Sequence, residues 1–257
     1  MKRIEFAVLA ALTLSACAHS PPDEPSDPLE PMNRAFYTFN RTADLYVLKP
    51  VAKGYDAITP TPVRRGVSNF FENLQMPRNI VNDALQLKLH QTGKDIARLV
   101  LNSTFGIGGL IDLGPAVELP LHEEDFGQTL GYWGVGEGIY LMLPFVGPSN
   151  GRDLIGRAAD TFTSVLGPPG ITGDVWLQVP LETTGPAGLL EVTEKRAQYF
   201  AADPILEKQF DEYVFVRSVY LQKRQSLIYD GVPPKEDQII VDENDSEAAP
   251  KKTSKKN

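Results

Sequence analysis

Apolar positions along the chain recur mostly at the three-to-four-residue interval of an amphipathic helix. Between Pro31 and Leu48 the residues Met32, Phe36, Phe39, Ala43, Tyr46 and Val47 share one stripe, and Pro50 is expected to end that helix. Thr61-Pro62 reads as an N-cap with proline at the first helical position, opening a helix that carries Val63, Val67, Phe70, Phe71 and Leu74. Pro77 is expected to interrupt it, with a further helix running to about Leu89. The run "TGKDIARLVLNS", Thr92 to Ser103, predicts another helix with its own cap. Helical spacing returns from Arg152 to Leu166. Thr184–Ala202 and Pro204–Tyr229 then predict two long C-terminal helices, with Asp203-Pro204 as a cap and first-turn pair between them.

The period fails between Phe105 and Gly151, where glycine is dense and the chain must turn tightly or pack backbone closely. Within this stretch "IYLMLPF" is the best strand candidate, though too short to make a sheet alone. The pattern therefore predicts an all-α body over residues 31–230, with about seven helices and one Gly-rich insert holding a short strand or hairpin.

The two ends read differently. Lys2 and Arg3 precede the apolar run Phe6 to Leu14, shorter than the ~20 residues a spanning helix needs. A basic start, a short apolar core and small residues describe an export signal over residues 1–16. Cys17 is the only cysteine, which excludes an internal disulfide and a cage of several thiolates; it is a buried hydrophobe, a nucleophile or an attachment point. Leu14-Ser15-Ala16-Cys17 resembles the lipobox of bacterial lipoproteins. That resemblance implies a diacylglyceryl group and an N-acyl group on Cys17 as its only covalent additions, with no other cofactor. Two or three chains hold a protein stably where one does so marginally. Ala18, where inner-membrane lipoproteins often carry Asp, implies sorting to the outer membrane. Residues 17–30 are Pro-rich and acidic and read as a tether; residues 231–257 are charged and read as a disordered tail.

Composition narrows the function. A net charge of −8 and the lack of an aromatic-basic patch argue against nucleic acid. Gly147-Pro148-Ser149-Asn150-Gly151 fits G-x-S-x-G between a strand-like run and a helix, the setting of a hydrolase nucleophile. That fold's base follows the serine, whereas His19, His90 and His122 all precede Ser149, and Pro148 stiffens the turn. A serine capping the next helix is the simpler expectation. Glu123, Glu124 and Asp125 are expected to cap a helix, no metal-ligand spacing appears, and Gly134 to Gly138 does not fit a dinucleotide fingerprint.

The blocks "SDPLEPMNRAFYTFN", "RRGVSNFFENLQMP", "FGIGGLIDL", "EEDFGQTLGYWGVGEGIYLMLPFVGPS", "TEKRAQYF" and "DPILEKQFDEYVFVRSVYLQKR" occur in order from Ser26 to the region of Tyr229. Together with the lipobox, this resembles the MlaA (VacJ) family of outer-membrane lipoproteins. The resemblance implies a ring-like helical bundle lying in the periplasmic leaflet, pierced by an amphipathic channel. It also implies association with a trimeric outer-membrane porin and hand-off of phospholipids to a soluble periplasmic carrier, without chemistry. On this chain Asp153, Arg157 and Asp160, four and three residues apart, are candidates to line the channel. Gly136, Gly138, Leu141, Met142 and Leu143 are candidates for a flexible lip. Phe36, Phe39 and Asn40 are expected to set the depth of the ring in the leaflet. A lipid-anchored hydrolase using Ser149 and a structural lipoprotein bridging membrane and periplasm are the alternatives.

Overall fold

The computed structural model describes residues 27–160 and 186–232. Cys17, the segment 1–16, the tether as far as residue 26, the end of the predicted Arg152–Leu166 helix and the tail from residue 233 lie outside the described residues.

The described chain is helical apart from one hairpin. In order come α1 (Glu30–Ala43), a π-turn (Asp44–Leu48), α2 (Lys49–Ile58), α3 (Thr61–Leu85) and α4 (Leu89–Thr104). After a 3₁₀ turn (Gly114–Val117) follow α5 (Phe126–Tyr132), β1 (Tyr140–Leu143), β2 (Gly147–Asn150), α6 (Gly151–Asp160) and α7 (Pro186–Gln198). A second 3₁₀ turn (Tyr199–Ala202), α8 (Asp203–Leu206) and α9 (Glu212–Ile228) complete it. Seven of these α-helices reach ten residues or more, as the periodicity predicts. The strands pair antiparallel with Tyr140 opposite Asn150 and Leu143 opposite Gly147, so the strand candidate is one arm of a hairpin.

The prolines behave differently from expectation. Pro50 does not stop the first helix. The Lys49 N–H bonds back to the Asp44 carbonyl, five residues away, and this widened turn leaves Pro50 in the first turn of α2, where its missing N–H costs nothing. Arg196 pins the turn from α7, its guanidinium bonding both Asp44 oxygens at 2.5 and 3.0 Å. Pro77 lies inside α3, which runs unbroken for 25 residues. One missing backbone bond there is outweighed by the neighbours that hold α3 along its length. At the C-terminus the single helix expected from Pro204 to Tyr229 is two. Asp203 does not cap; its carboxylate pairs with Lys49 and Arg196. The cap belongs to Asp211, whose side chain accepts from the Val214 N–H at 3.1 Å and starts α9. Similarly α4 begins at Leu89, and Thr92 bonds the Lys88 carbonyl from within the helix.

Contacts between elements close a circuit. α1 packs on β1, β2 on α6 and α9, both of these on α5, α5 on α3, α3 on α7 and α7 on α2, which returns through the π-turn to α1. The circuit is a ring of helices with α4 packed along α3.

Its burial is inverted. Among the described residues 21 polar or charged side chains are buried against seven apolar ones, so the interior is predominantly polar. α4 shows the pattern within one helix: Asp95, Arg98 and Asn102 are buried while Leu89, Ile96 and Val100 are exposed. α3 likewise buries Asn73, Asn79, Asn82 and Asp83 and exposes Val63, Val81 and Leu85. The small apolar cluster of Tyr140, Met142 and Tyr213 sits where the hairpin meets α1 and α9. Among the described residues no helix is long and apolar enough to cross a membrane.

Candidate functional site: a polar interior behind a clamped hairpin

Helix α1 holds the hairpin by two carboxamides. Asn33 donates to the Tyr140 carbonyl at 3.1 Å and accepts from the Met142 N–H at 2.8 Å. Asn40 donates to the Leu143 carbonyl at 2.8 Å and accepts from the Phe145 N–H at 2.7 Å. Asp27 orients Asn33 through a 3.0 Å bond and also accepts from the Tyr213 hydroxyl. Phe36 packs against the Tyr140–Met142–Tyr213 cluster, and the exposed Phe39 meets Phe145 edge to face with centroids 4.9 Å apart.

The Gly-rich run before the hairpin is an exposed loop. Gly136 has open space around it, and Gly138 adopts a positive φ of 70°. The loop is tied at its end, where Gly151 N–H and Arg152 N–H bond the carbonyls of Ile139 and Glu137, each at 3.1 Å. Met142 is buried; Leu141 and Leu143 are half-buried.

Of the α6 residues, Asp153 and Asp160 are buried and Arg157 is half-buried. Asn150, rather than Ser149, caps α6, its side chain accepting from the Asp153 N–H at 2.7 Å. The Asp153 carboxylate accepts from the Tyr220 hydroxyl at 2.5 Å and lies 2.6 Å from Arg224 Nε. Arg224 also grips Asp125 with two bonds, at 2.6 and 2.9 Å. Burial works against ionisation of Asp125, but the Arg224 guanidinium prevails and holds its carboxyl well below the usual carboxylate range. Asp125 is also the N-cap of α5, as predicted for that acidic run; Glu124 instead turns inward to Lys88 at 2.9 Å and Gln86 at 2.7 Å, and Glu123 lies near Lys223. Asp160 accepts from the Phe126 N–H at 3.1 Å and from Asn82 at 3.0 Å; burial pushes its carboxyl up to about 6, against the pull of Arg78.

Between α3 and α4 two fully buried carboxyl groups face each other. Burial first, and Asp95 second, raise the Asp83 carboxyl far above the usual range, while His122 Nδ1 lies 2.9 Å from Asp95. Ser149 is fully buried, and its Oγ bonds no partner among the described residues.

Three cavities follow one face of α3. A space of about 250 Å³ is lined by Arg64, Arg65, Ser68 and Asn69 of α3 with Glu194 and Gln198 of α7. Asn69 also lines a narrow cleft with Glu72, Asn73 and Met76 of α3 and Arg98 of α4. Glu72 and Arg98 continue into a space of about 590 Å³ walled by Asp112 and by Pro115, Leu119 and Leu121. Arg98 is fixed there by Asp112 at 2.7 Å and the Leu119 carbonyl at 2.5 Å. Apolar periodicity and sequence motifs mark none of these α3 and α4 residues as a site. The available signal is Asp95, Arg98 and Asn102 at three- and four-residue spacing around the apolar residues Ile96, Leu99, Val100 and Leu101.

A helical ring that buries asparagine, aspartate and arginine and turns leucine and valine outward is built for apolar surroundings around a polar interior, the class of membrane-seated helical proteins. The profile of the MlaA lipoprotein family matches residues 25–227. The chain belongs to that family of phospholipid-transport lipoproteins. It is 37% identical over 235 residues to the intermembrane phospholipid transport system lipoprotein MlaA of Escherichia coli, covering 89% of this chain and 90% of that one. It is 30% identical to the protein of that name from Haemophilus influenzae, covering 90% and 92%. A solved structure from work on the structural basis for maintenance of bacterial outer membrane lipid asymmetry matches with a TM-score of 0.68 and 35% identity. The match covers 79% of this chain and all of the other.

Proposed function

We propose that the protein draws mislocalised phospholipids from the outer leaflet of the outer membrane through its ring and passes them to a soluble periplasmic carrier, keeping that membrane asymmetric. The inverted burial carries the reading. A charged headgroup crosses hydrocarbon at a low cost only where polar groups line its way, and a polar interior inside an apolar ring offers that lining. Helices also satisfy their own backbone within hydrocarbon. Kinship with lipoproteins named for intermembrane phospholipid transport supports the same reading.

In this reading Cys17 bears diacylglyceryl and N-acyl groups that hold the ring at the periplasmic leaflet, while Phe36, Phe39 and Asn40 set its depth. Gly136, Gly138, Leu141, Met142 and Leu143 form a lip over the opening. Asp153, Arg157 and Asp160 form part of the polar wall, with Asp153 positioned by Tyr220 and Arg224. A trimeric porin seats the ring in its membrane, and the body over residues 31–230 does the transport. No bond is made or broken in transit.

The test is outer-leaflet phospholipid on intact cells, read as the release of lipid products by an added phospholipase. Loss of the protein raises the signal; the wild type and Ser149→Ala restore it, and Cys17→Ala does not. A signal unchanged by loss of the protein overturns the transport reading. Failure of well-expressed Ser149→Ala overturns the non-enzymatic one.

A further inference from the structure

The 590 Å³ cavity between α3, α4 and residues 112–121 has an excess of negative charge. Glu72, Asp112 and Glu118 line it against one cation, Arg98. Arg98 is turned to Asp112 at 2.7 Å and to the Leu119 carbonyl. Among the described residues neither Glu72 nor Glu118 has a basic side chain at ion-pairing distance. Burial above all raises the Glu72 carboxyl; Ser68 and Arg98 oppose the rise, and Asp112 and Glu123 add to it. Carboxylates drawn out of water are ordinarily paired. The remaining wall is apolar, with Pro115, Leu119 and Leu121. Acids in an apolar-walled space fit lysine, whose four-carbon stem lies along apolar surface while its ammonium meets the carboxylates.

The chain carries such lysines within reach of the cavity. Lys251, Lys252, Lys255 and Lys256 stand within six residues, and Ala248-Ala249-Pro250 separates them from the last acid of the tail, Glu247. The tail leaves the body after Val232, beside Asp230, whose carboxylate accepts from Lys88 Nζ at 2.6 Å. The same ammonium donates to Glu124 at 2.9 Å, and Glu124 follows Leu121 of the cavity wall by three residues. At no more than ~3.6 Å per residue, these links hold Val232 within about 30 Å of the cavity. On the same count the nineteen residues from 233 to 251 extend to about 65 Å, twice that distance.

We propose that the lysine cluster Lys251–Lys256 docks in this cavity of its own chain, with ammonium groups at Glu72 and Glu118 and stems along Pro115, Leu119 and Leu121, and that the docked tail obstructs the lipid route. The obstruction rests on the polar interior being that route; the docking does not. Attraction between the lysines and the acidic wall holds the contact, so salt weakens it.

The experiment takes the full chain in detergent, as an equal mixture of unlabelled and isotope-labelled protein, joins carboxyls to amines with a carbodiimide and maps the linked peptides by mass spectrometry. Lysines of the cluster are expected to be joined to Glu72 or Glu118 within one chain, and fewer of these links to form in high salt. Docking also shields the cluster from trypsin. Glu72→Gln with Glu118→Gln, at an unchanged melting temperature, is expected to be cut after Lys252 about fivefold faster than the wild type. The obstruction is read on cells lacking the protein, as the loss of phospholipase-accessible outer-leaflet lipid after induction. Replacing Lys251, Lys252, Lys255 and Lys256 by Gln is expected to speed that loss about threefold, the factor for a route open a third of the time. Links confined to Asp242–Glu247 or running between chains, no links, or equal trypsin rates overturn the docking. Equal clearance by the wild type and the lysine variant overturns the obstruction. If neither clears lipid, the route falls and the obstruction with it, while the links and the trypsin rates still decide the docking.

Discussion

Asn33 and Asn40 stand two helical turns apart on α1, and each carboxamide bonds one backbone carbonyl and one backbone N–H of the hairpin segment Tyr140 to Phe145. Seven helical residues rise about 10.5 Å. Three strand residues, the step from Tyr140 to Leu143, advance about 10 Å. The two pitches match, so a helix stands in for a third strand along the hairpin.

Asn33→Ala should cost about 2–3 kcal/mol, because a fully buried carbonyl and N–H lose their partners together. Asn40 is half-buried, and Asn40→Ala should cost about 1 kcal/mol, water replacing part of the loss. Hydrogen exchange separates the sites: the Met142 amide should lose protection in Asn33→Ala, and the Phe145 amide in Asn40→Ala. Unchanged exchange at both amides would show that the clamp does not hold the hairpin.

Arg224 balances two carboxylates on different helices, Asp125 at the start of α5 and Asp153 in α6. Arg224→Met should destabilise by about 3–5 kcal/mol, because removing the cation leaves buried charge uncompensated. The pH dependence follows from Asp125. Its folded-state carboxyl titrates below the unfolded value, so its stabilisation is present above the ordinary carboxylate range and is lost as pH falls from that range towards the lower folded value. Arg224→Met should therefore flatten the acid limb of a melting-temperature profile measured downward from pH 5.

The helices were legible in the sequence because a 3.6-residue apolar period survives whichever face is buried. What the period does not carry is the sign. In α4 the stripe of Ile96 and Val100 reads as a core face, yet the packed face is Asp95, Arg98 and Asn102. Periodicity identifies two faces, and the surroundings decide which turns inward. The prolines misled for a related reason: Pro50 and Pro77 tell what the local backbone prefers, while a π-turn pinned by Arg196 and the packing of α3 decide what it does. Asn40 was legible as a polar residue on an aromatic helix; its partners, more than a hundred residues later, were not.

Asp83 predicts an alkaline weakness. Its folded carboxyl holds a proton that the unfolded chain releases at ordinary carboxylate pH, chiefly through burial and then through Asp95. A raised acid stabilises the folded state below the unfolded pKa, and that contribution fades as pH climbs towards the folded value. From Asp95 and His122 on one side to Glu124 and Lys88 on the other, only Lys88 opposes the rise. Asp83→Asn keeps a neutral group able to donate to Asp95. It should raise the melting temperature at pH 8 by several degrees and change it little at pH 4. An equal effect at both pH values would mean that Asp83 is already ionised in the fold.

Gly156 and Gly54 both lie within helices and should respond in opposite ways. A Cβ built on Gly156 in α6 would come within 2.3 Å of the Gly127 nitrogen and 2.7 Å of its Cα, backbone atoms of α5 that no rotamer change can move. Gly127 is held in turn, since Asp125 beside it caps α5 and is gripped by Arg224. Gly156→Ala must therefore push α5 from α6 and loosen the Asp125–Arg224–Asp153 tie, at a cost of about 2–4 kcal/mol. Gly54 in α2 has no heavy atom within 4 Å of such a Cβ. Gly54→Ala should stabilise by about 0.5–1 kcal/mol through the smaller entropy of its unfolded chain. Both variants are checked by thermal melting of the detergent-solubilised protein, with Tyr220 and Arg224 read by exchange protection of the α9 amides. If Gly156→Ala melts with the wild type, α5 and α6 do not approach through paired glycines, and the wall that carries Asp153 and Asp160 is not rigid.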